Sequence, residues 1–499
     1  MITAMKHYIL KGILAIAAVV TLASGCKGFL DEQDQSKFIA NKAEHFSSVL
    51  LGEFNASYDP FWLAPFMTDE LMDGITVSQN TTGREQTRPA FCWQRDIEKN
   101  MTDYSQMSQS EFWAYCYKII AICNNLFENI EDCTEDEPGA KDYALAEGSF
   151  VSALMYFNLV NLYAEPYRSA TAATTMGVPI KEGTGIDNAY DRAMLSECYD
   201  KIVTLLNDAL KYLKSSGINY KVFYKINEDA VRILLSRVYL FMGQWDDVIS
   251  TLEPVMSRAR LHQMPSNALP VGTSGFNNAE VTWDTGGNNE VVYTYGRWTQ
   301  SGIRGFCQSY YYNVSNELFN LYDETDKRLN LWFNHTFDKD KGINIAVPYK
   351  CSSYYTRIGQ IVMRYAEAYL NIAEAYARKN DTQSATTQLK KFLASRHTTI
   401  EGIELPSNQK DLVAFIMDER LREFCYEDHF RWFDLRRMEE SERPELVHEF
   451  KVMQNAVLVR TETYHLLKND PNYTLSLPYK EKDNNPMILD YDRFDKVPY

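Results

Sequence analysis

Apolar residues recur at intervals of three and four through most of this chain, the spacing that gathers them on one face of an α-helix. Between 111 and 130 the stripe runs Phe112, Tyr115, Cys116, Ile119, Ile122, Cys123, Leu126 and Ile130. Further stripes predict helices at 142–163, 196–214, 228–242, 245–257, 361–378 and 382–396. Long alternating runs are hard to find, and only 290–295 predicts a short strand.

Two of the helical segments repeat each other. Ser236, Tyr239, Gly243, Val248, Leu252 and Val255 have the offsets of Ala373, Tyr376, Asn380, Ala385, Leu389 and Phe392. Small residue, tyrosine, turn residue and spaced apolar residues resemble the tetratricopeptide helical hairpin. A small side chain lets two helices approach, and Gly243 or Asn380 supplies the turn between them. A third hairpin is predicted from 142–163 and 196–214, separated by an Ala-, Thr- and Gly-rich loop at 165–192.

The pattern changes at 262–312, where glycines, Asn, Thr and Ser replace the stripes and aromatics cluster from Trp283 to Tyr312. A long irregular segment this rich in aromatics is too apolar for disorder and predicts a functional loop. Residues 27–40 are polar and acidic without a period, and read as a tether. The organisation expected is a signal at 1–25, a tethered start at 26–40, and one body at 41–499. That body carries helical repeat elements at about 111–260 and 361–437, with a loop-rich insertion at about 262–350.

Lys6 and Lys11 precede a short apolar run that closes on Leu22-Ala23-Ser24-Gly25-Cys26. The run is shorter than the roughly 20 residues a spanning helix needs, and its flanks predict a cleaved secretion signal. The ending resembles the bacterial lipobox, with Ala23 where that motif prefers leucine, so Cys26 is expected to be acylated. Removing Lys6 and Lys11 takes the formal net charge from −16 to −18. So acidic a surface argues against nucleic acid and against adhesion to anionic lipid through the body, leaving a lipid anchor to hold the protein at a membrane. The other eight cysteines are irregularly spaced; Cys116 and Cys123 lie about 10 Å apart along one helix, too far to pair, and buried free thiols are expected for most.

Five segments stand in order along the chain: Cys26-Lys-Gly-Phe-Leu-Asp, the run from Ala146-Glu-Gly-Ser-Phe to Asn161-Leu-Tyr163, and Arg364-Tyr-Ala-Glu-Ala-Tyr-Leu-Asn-Ile-Ala-Glu-Ala-Tyr376. Asp418-Glu-Arg-Leu-Arg-Glu-Phe424 with Arg431-Trp-Phe-Asp-Leu-Arg436 follows, and then Leu477-Pro-Tyr-Lys-Glu481 before Asn485-Pro486. In that order they resemble the SusD/RagB family of Bacteroidota surface lipoproteins. Lys480 stands where the family usually has a second proline, and Asp492-Arg493 replace its Gln-Asn. The resemblance implies an all-α, tetratricopeptide-like fold of helical hairpins with a large irregular, loop-rich ligand-binding half. It also implies a surface-exposed lipoprotein that binds oligosaccharide, or peptide as in the RagB branch, and hands it to a SusC-like TonB-dependent transporter in the outer membrane.

Sugar rings have apolar faces and polar rims, so sites for them pair flat aromatics with polar side chains. The insertion offers Trp283, Trp298, Tyr310 and Tyr311 beside Arg304. A second loop, 62–96, offers Trp62, Asp69, Asp73, Asn80, Arg84 and Trp93, and the resemblance implies ligand contacts in this early loop. Catalytic chemistry has less support. The charged run 418–437 predicts i,i+4 pairs, Asp418 with Arg422 and Glu427 with Arg431, on one helix. Its arginines would hold neighbouring carboxylates ionised, which denies a general acid. There is no His-Glu-x-x-His, no Walker loop and no Gly-x-Ser-x-Gly, so neither a metal nor another cofactor is expected, and the protein reads as a binder and not an enzyme.

Overall fold

A computed structural model describes residues 41–57, 63–74, 82–99, 109–134, 136–184, 190–220, 222–264, 290–296, 311–338, 343–348, 350, 361–455 and 457–499. Cys26 and the expected signal and tether lie outside them. The first layer is built from helix α1 (Ala43–Ser57), a 3-10 turn at Ala64–Met67, strand β1 (Leu71–Asp73) and helices α2 (Thr82–Phe91), α3 (Gln109–Asn129), α4 (Ala140–Tyr163) and α5 (Leu195–Ser216). The expected stripe on α4 proves to be wider than one face. It is buried on nearly every side from Tyr143 to Tyr163, because α1 and α3 cover one flank and α5 and α6 the other. Gly139 opens α4 at a φ of 80°, and a Cβ there would collide with the Ser216 carbonyl at the end of α5.

Helices α6 (Glu228–Met242) and α7 (Trp245–Met256) form the next hairpin. Gly243 turns it at a φ of 72°, as its place in the repeat predicts. Strand β2 (Val291–Tyr295) follows, then β3 (Tyr312–Val314), the short helices α8 (Asn316–Phe319) and α9 (Lys327–Trp332), and the hairpin β4 (Phe333–Asp338) and β5 (Ile343–Pro348). Part of the expected loop-rich insertion is therefore regular. Strand β6 (Ile361–Arg364) occupies what the pattern assigned to a helix start; its first two residues are β-branched and it pairs antiparallel with β2, Tyr295 opposite Ile361.

The second repeat copy, α10 (Tyr365–Arg378) and α11 (Thr382–Arg396), turns at Asn380 with a φ of 63°. It packs on the first copy. Arg237 on α6 makes a bidentate pair with Glu367 on α10 at 2.6 and 2.8 Å, and Asn371 donates to Ser236 at 3.1 Å. Ala373, Ala385, Leu389 and Phe392 enter a second core with α12 (Gln409–Phe424), distinct from the main one.

Residues 418–437 are not one helix. Tyr426 and Asp428 take positive φ of 59° and 47°, which ends α12 and starts α13 (Phe430–Arg437) on a new axis. The break separates Glu427 from Arg431, so Arg431 reaches Asp69, and Glu427 turns to Arg364 and Lys350, each at 2.6 Å; Asp418 and Arg422 stay together on α12, but Arg422 hydrogen-bonds to Glu419 at 2.7 Å. The hairpin β7 (Leu446–Gln454) and β8 (Val457–Leu466) is the longest extended structure among the described residues and was not expected from the pattern. The last described helix is α14 (Tyr479–Asn484). Arg493, one of the departures from the family pattern, is buried and donates to the Asn472 and Thr474 carbonyls at 2.8 Å.

Among the described residues no helix is long and apolar enough to cross a membrane. Cys92, Cys116, Cys123, Cys133, Cys198 and Cys425 are buried and free, as the spacing predicted for most.

Candidate functional site

The two loops proposed from the aromatics share one edge of the fold. β1 pairs antiparallel with β3, Asp73 opposite Tyr312, so the chain leaves β1 where it enters β3. The Gly74 amide donates to the Tyr311 carbonyl at 2.8 Å. Gly74 is the last described residue before 75–81, and Tyr311 the first after 297–310. At the other end of that second segment, the Gly296 amide donates to Asn55 Oδ1 at 3.1 Å, and Tyr295 stacks on Phe54 with ring centroids 5.3 Å apart. Asn55 in turn lies just before 58–62.

This edge stands on a rigid base. Asp73 is buried beneath it and accepts from Arg84 Nε at 2.6 Å and from the Lys451 amide at 2.6 Å. Arg84 lies over the Phe450 ring, 3.9 Å from its centroid. Thr87 Oγ1 and the Tyr312 hydroxyl are 2.8 Å apart, and Phe66 and Phe91 pack around the Tyr312 ring. The strand β7 supplies Lys451 and His448 to this base, and sequence reasoning missed both. The sequence signal is weak, because buried Leu446, His448 and Phe450 alternate with exposed Val447 and Glu449, which puts a polar residue inward and an apolar one outward.

Of the proposed ligand residues, Trp283, Trp298, Arg304 and Tyr310 lie outside the described residues. Tyr311 is half-buried against the core at the edge just described. Asp69 is half-buried and committed to Arg431, 2.7 Å from its Nε. Two others correct the expectation. Trp93 is wholly buried, donates Nε1 to the Met67 carbonyl at 2.9 Å and stacks on His448 at 4.2 Å, so it offers no face to a ligand. Asp73 is likewise used up inside: a carboxylate removed from water needs its charge matched, and Arg84 matches it. Both support the edge from within.

Below the strands that flank the insertion lies a buried ionic network. Glu423 accepts from Arg364 at 2.6 Å, from Arg328 at 2.9 Å and from Arg396 at 3.0 Å. Glu290, just before β2, accepts from Arg364 at 2.8 Å and from Arg396 at 2.9 Å. Burial alone would raise the carboxyls of this region, but the guanidiniums outweigh it. Glu423 is held well below its usual range and Glu419 at about 2, with Arg328 and Arg422 beside it. Fixed in the ionised state and sealed from water, these two are structural anions without a proton to give. Among the described residues no group of His, Cys, Asp and Glu has the arrangement of a metal site.

Two family models match. That of the SusD family covers residues 273–491, and one described as starch-binding associating with outer membrane covers 28–240. A search of curated proteins finds no match. Among solved structures, a SusD superfamily protein from Bacteroides thetaiotaomicron VPI-5482 superposes with a TM-score of 0.68 at 20% identity, over 91% of this chain and 100% of its own. A SusD-like carbohydrate binding protein from Bacteroides vulgatus ATCC 8482 gives 0.64 at 17% identity, over 90% and 98%. At those identities the likeness establishes the fold, while the family models span both the repeat-bearing and the loop-bearing parts of the sequence. The chain belongs to the SusD-like family.

Proposed function

We propose that this chain is a lipid-anchored protein on the outer face of the outer membrane that captures an oligosaccharide and passes it to a SusC-like TonB-dependent transporter. Two contacts support the reading: Gly74 to Tyr311 sets the start of 75–81 beside the end of 297–310, and Gly296 to Asn55 sets the start of 297–310 close to the helix end that precedes 58–62. Those three segments carry Trp62, Asn80, Trp298, Arg304 and Tyr310. Their residue types, flat rings with polar side chains, are the pairing that a sugar's apolar face and hydroxyl rim require. Trp283, in the segment that precedes β2, is assigned to the same ligand. Transfer to a transporter needs a difference in affinity between two states of the complex and no bond-making. The description of the matching family as associating with the outer membrane supports the location, and the lipobox-like ending at Cys26 supports the anchor.

The test is titration calorimetry of Trp298→Ala and Trp283→Ala with a neutral glycan selected from an array by the wild-type protein. A desolvated Trp in a binding site contributes about 2 kcal/mol, so Trp298→Ala should weaken affinity roughly thirtyfold at unchanged melting temperature. Wild-type affinity in both variants would move the site away from the insertion. Selection of peptides and no glycan from the array would replace the ligand.

A further inference from the structure

A cavity of about 1020 Å³ opens between the end of α5, the connector residues 217–220 and 222–227, the start of α6 and the first residues of β2. It shares no lining residue with the four anchors of the loop edge, and its volume is at the upper end of the roughly 300 to 1,000 Å³ typical of ligand pockets. One wall is apolar and wet: Tyr220, Val222 and Phe223 are 43%, 37% and 39% exposed. Large apolar side chains grouped in one connector form the kind of exposed patch that marks a contact site.

The wall is held in place. The Phe223 carbonyl accepts from the Thr294 amide at 2.8 Å, and the Tyr220 ring meets Tyr143 edge-on with centroids 4.9 Å apart. The charges on the facing side are sorted. Arg232 Nε is satisfied by Glu228 at 2.7 Å and Arg258 Nε by Asp229 at 2.8 Å, and the second Asp229 oxygen accepts from the Tyr365 hydroxyl at 2.6 Å. Lys211 and Lys214, exposed one helical turn apart on α5, line the same cavity, and neither forms an ion pair with a described carboxylate. Among the described lining residues two of four cations are matched to the two anions, which leaves a positive excess on a chain of net charge −16.

We propose that this cavity is a second carbohydrate site, separate from the loop edge and selective for acidic oligosaccharides such as uronates. The C–H face of a ring lies on Tyr220 and Phe223, and its carboxylate meets Lys211 and Lys214 in charge-assisted hydrogen bonds. The assignment rests on the carbohydrate-binding reading above and adds a ligand class to it.

The test uses the full mature chain, a galacturonic acid hexamer as the acidic probe and a neutral galactose hexamer as its control. Two double variants, Tyr220→Ala with Phe223→Ala and Lys211→Glu with Lys214→Glu, alter exposed side chains and should melt as wild type does. Each should bind the acidic hexamer at least roughly tenfold more weakly, with neutral-glycan binding at the loop edge unchanged. Wild-type affinity should fall as salt rises. Absence of acidic-hexamer binding by the wild type, or wild-type affinity in both double variants, overturns the proposal; so does equal competition by hexaglutamate, which would make the cavity a general anion or peptide site. The two sites fail separately. If Trp298→Ala loses the neutral glycan while both double variants keep the acidic hexamer, the loop edge stands and the cavity falls. If Trp298→Ala keeps the neutral glycan while both double variants lose the acidic hexamer, the cavity stands and the loop edge falls.

Discussion

Glu70 and His448 sit on either side of Thr68, whose hydroxyl donates to Glu70 Oε2 at 2.8 Å and whose carbonyl lies 2.9 Å from His448 Nε2. Both are buried, and burial acts on them in opposite senses. It pushes the Glu70 carboxyl up to about 7, against the Tyr426 amide and the Thr68 hydroxyl, and holds the His448 imidazole down at about 4. Glu70 therefore costs the fold stability above pH 7, and that cost disappears as pH falls toward its unfolded value near 4.5. His448 costs nothing above its unfolded value near 6.5, and a cost appears and grows as pH falls from there toward 4. Between about pH 7 and about pH 5 each moves stability by about 2 kcal/mol, in opposite directions. Glu70→Gln should expose the histidine's share: its urea midpoint should drop between those two pH values more steeply than that of wild type. Parallel pH slopes for the two proteins would show that one of these groups is not held as described.

At the scale of elements, the helical hairpins depend on a few close approaches. Ala373 lies wholly inside the second core, where α10 meets α11 and α12. Ala373→Leu should cost roughly 1 to 3 kcal/mol through overpacking, whereas Ala173→Ser, exposed in the loop before α5, should stay within about 0.5. Thermal melts distinguish them, and equal midpoints would contradict the packing. Glycines separate in the same way. Gly243→Ala meets only the Trp245 ring at 3.6 Å and is strained by its φ alone, but Gly139→Ala adds a collision with backbone at Ser216 and should be the more damaging in the same melts.

These hairpins were legible because each repeats a local pattern of small residue, tyrosine and turn residue, and because the left-handed turn falls on Gly or Asn. The break between α12 and α13 was not. Tyr426 and Asp428 carry the positive φ there, and neither residue type announces it. The β7–β8 hairpin was obscured because His448 occupies an inward position, so the alternation did not read as apolar against polar.

For the molecule as a whole, the network around Glu423 ties the loop-bearing strands to the helical repeats, through Arg364 at the end of β6, Arg396 at the end of α11 and Glu290 before β2. The chain has a net charge of the sign that anionic lipid repels, and the six described cysteines are buried; the lipid proposed above is assigned to Cys26. Cys26→Ala should move the protein from the membrane to the soluble fraction on fractionation while its melting temperature stays within about 1 °C, since the tether carries little apolar surface. A variant that still sediments with membranes would mean that another part of the chain binds there.

Helices, turns and the repeat follow from neighbours a few residues apart, since period and turn chemistry are short-range physics; that is why the boundaries of α3, α5 and α11 lie within two residues of the stripes that predicted them. Partnership between distant residues follows no such rule. Nothing local says that Glu423 will meet arginines at 328, 364 and 396, that Arg431 will seek Asp69 and not Glu427, or that Trp93 will turn inward onto His448. Those choices are made when burial forces each charge to find its counterion and each ring its packing, and only the assembled fold supplies the candidates. The shared edge that joins two loops more than 200 residues apart belongs to the same class: aromatic density marked each loop, and the β1–β3 ladder decided that they would leave the body together.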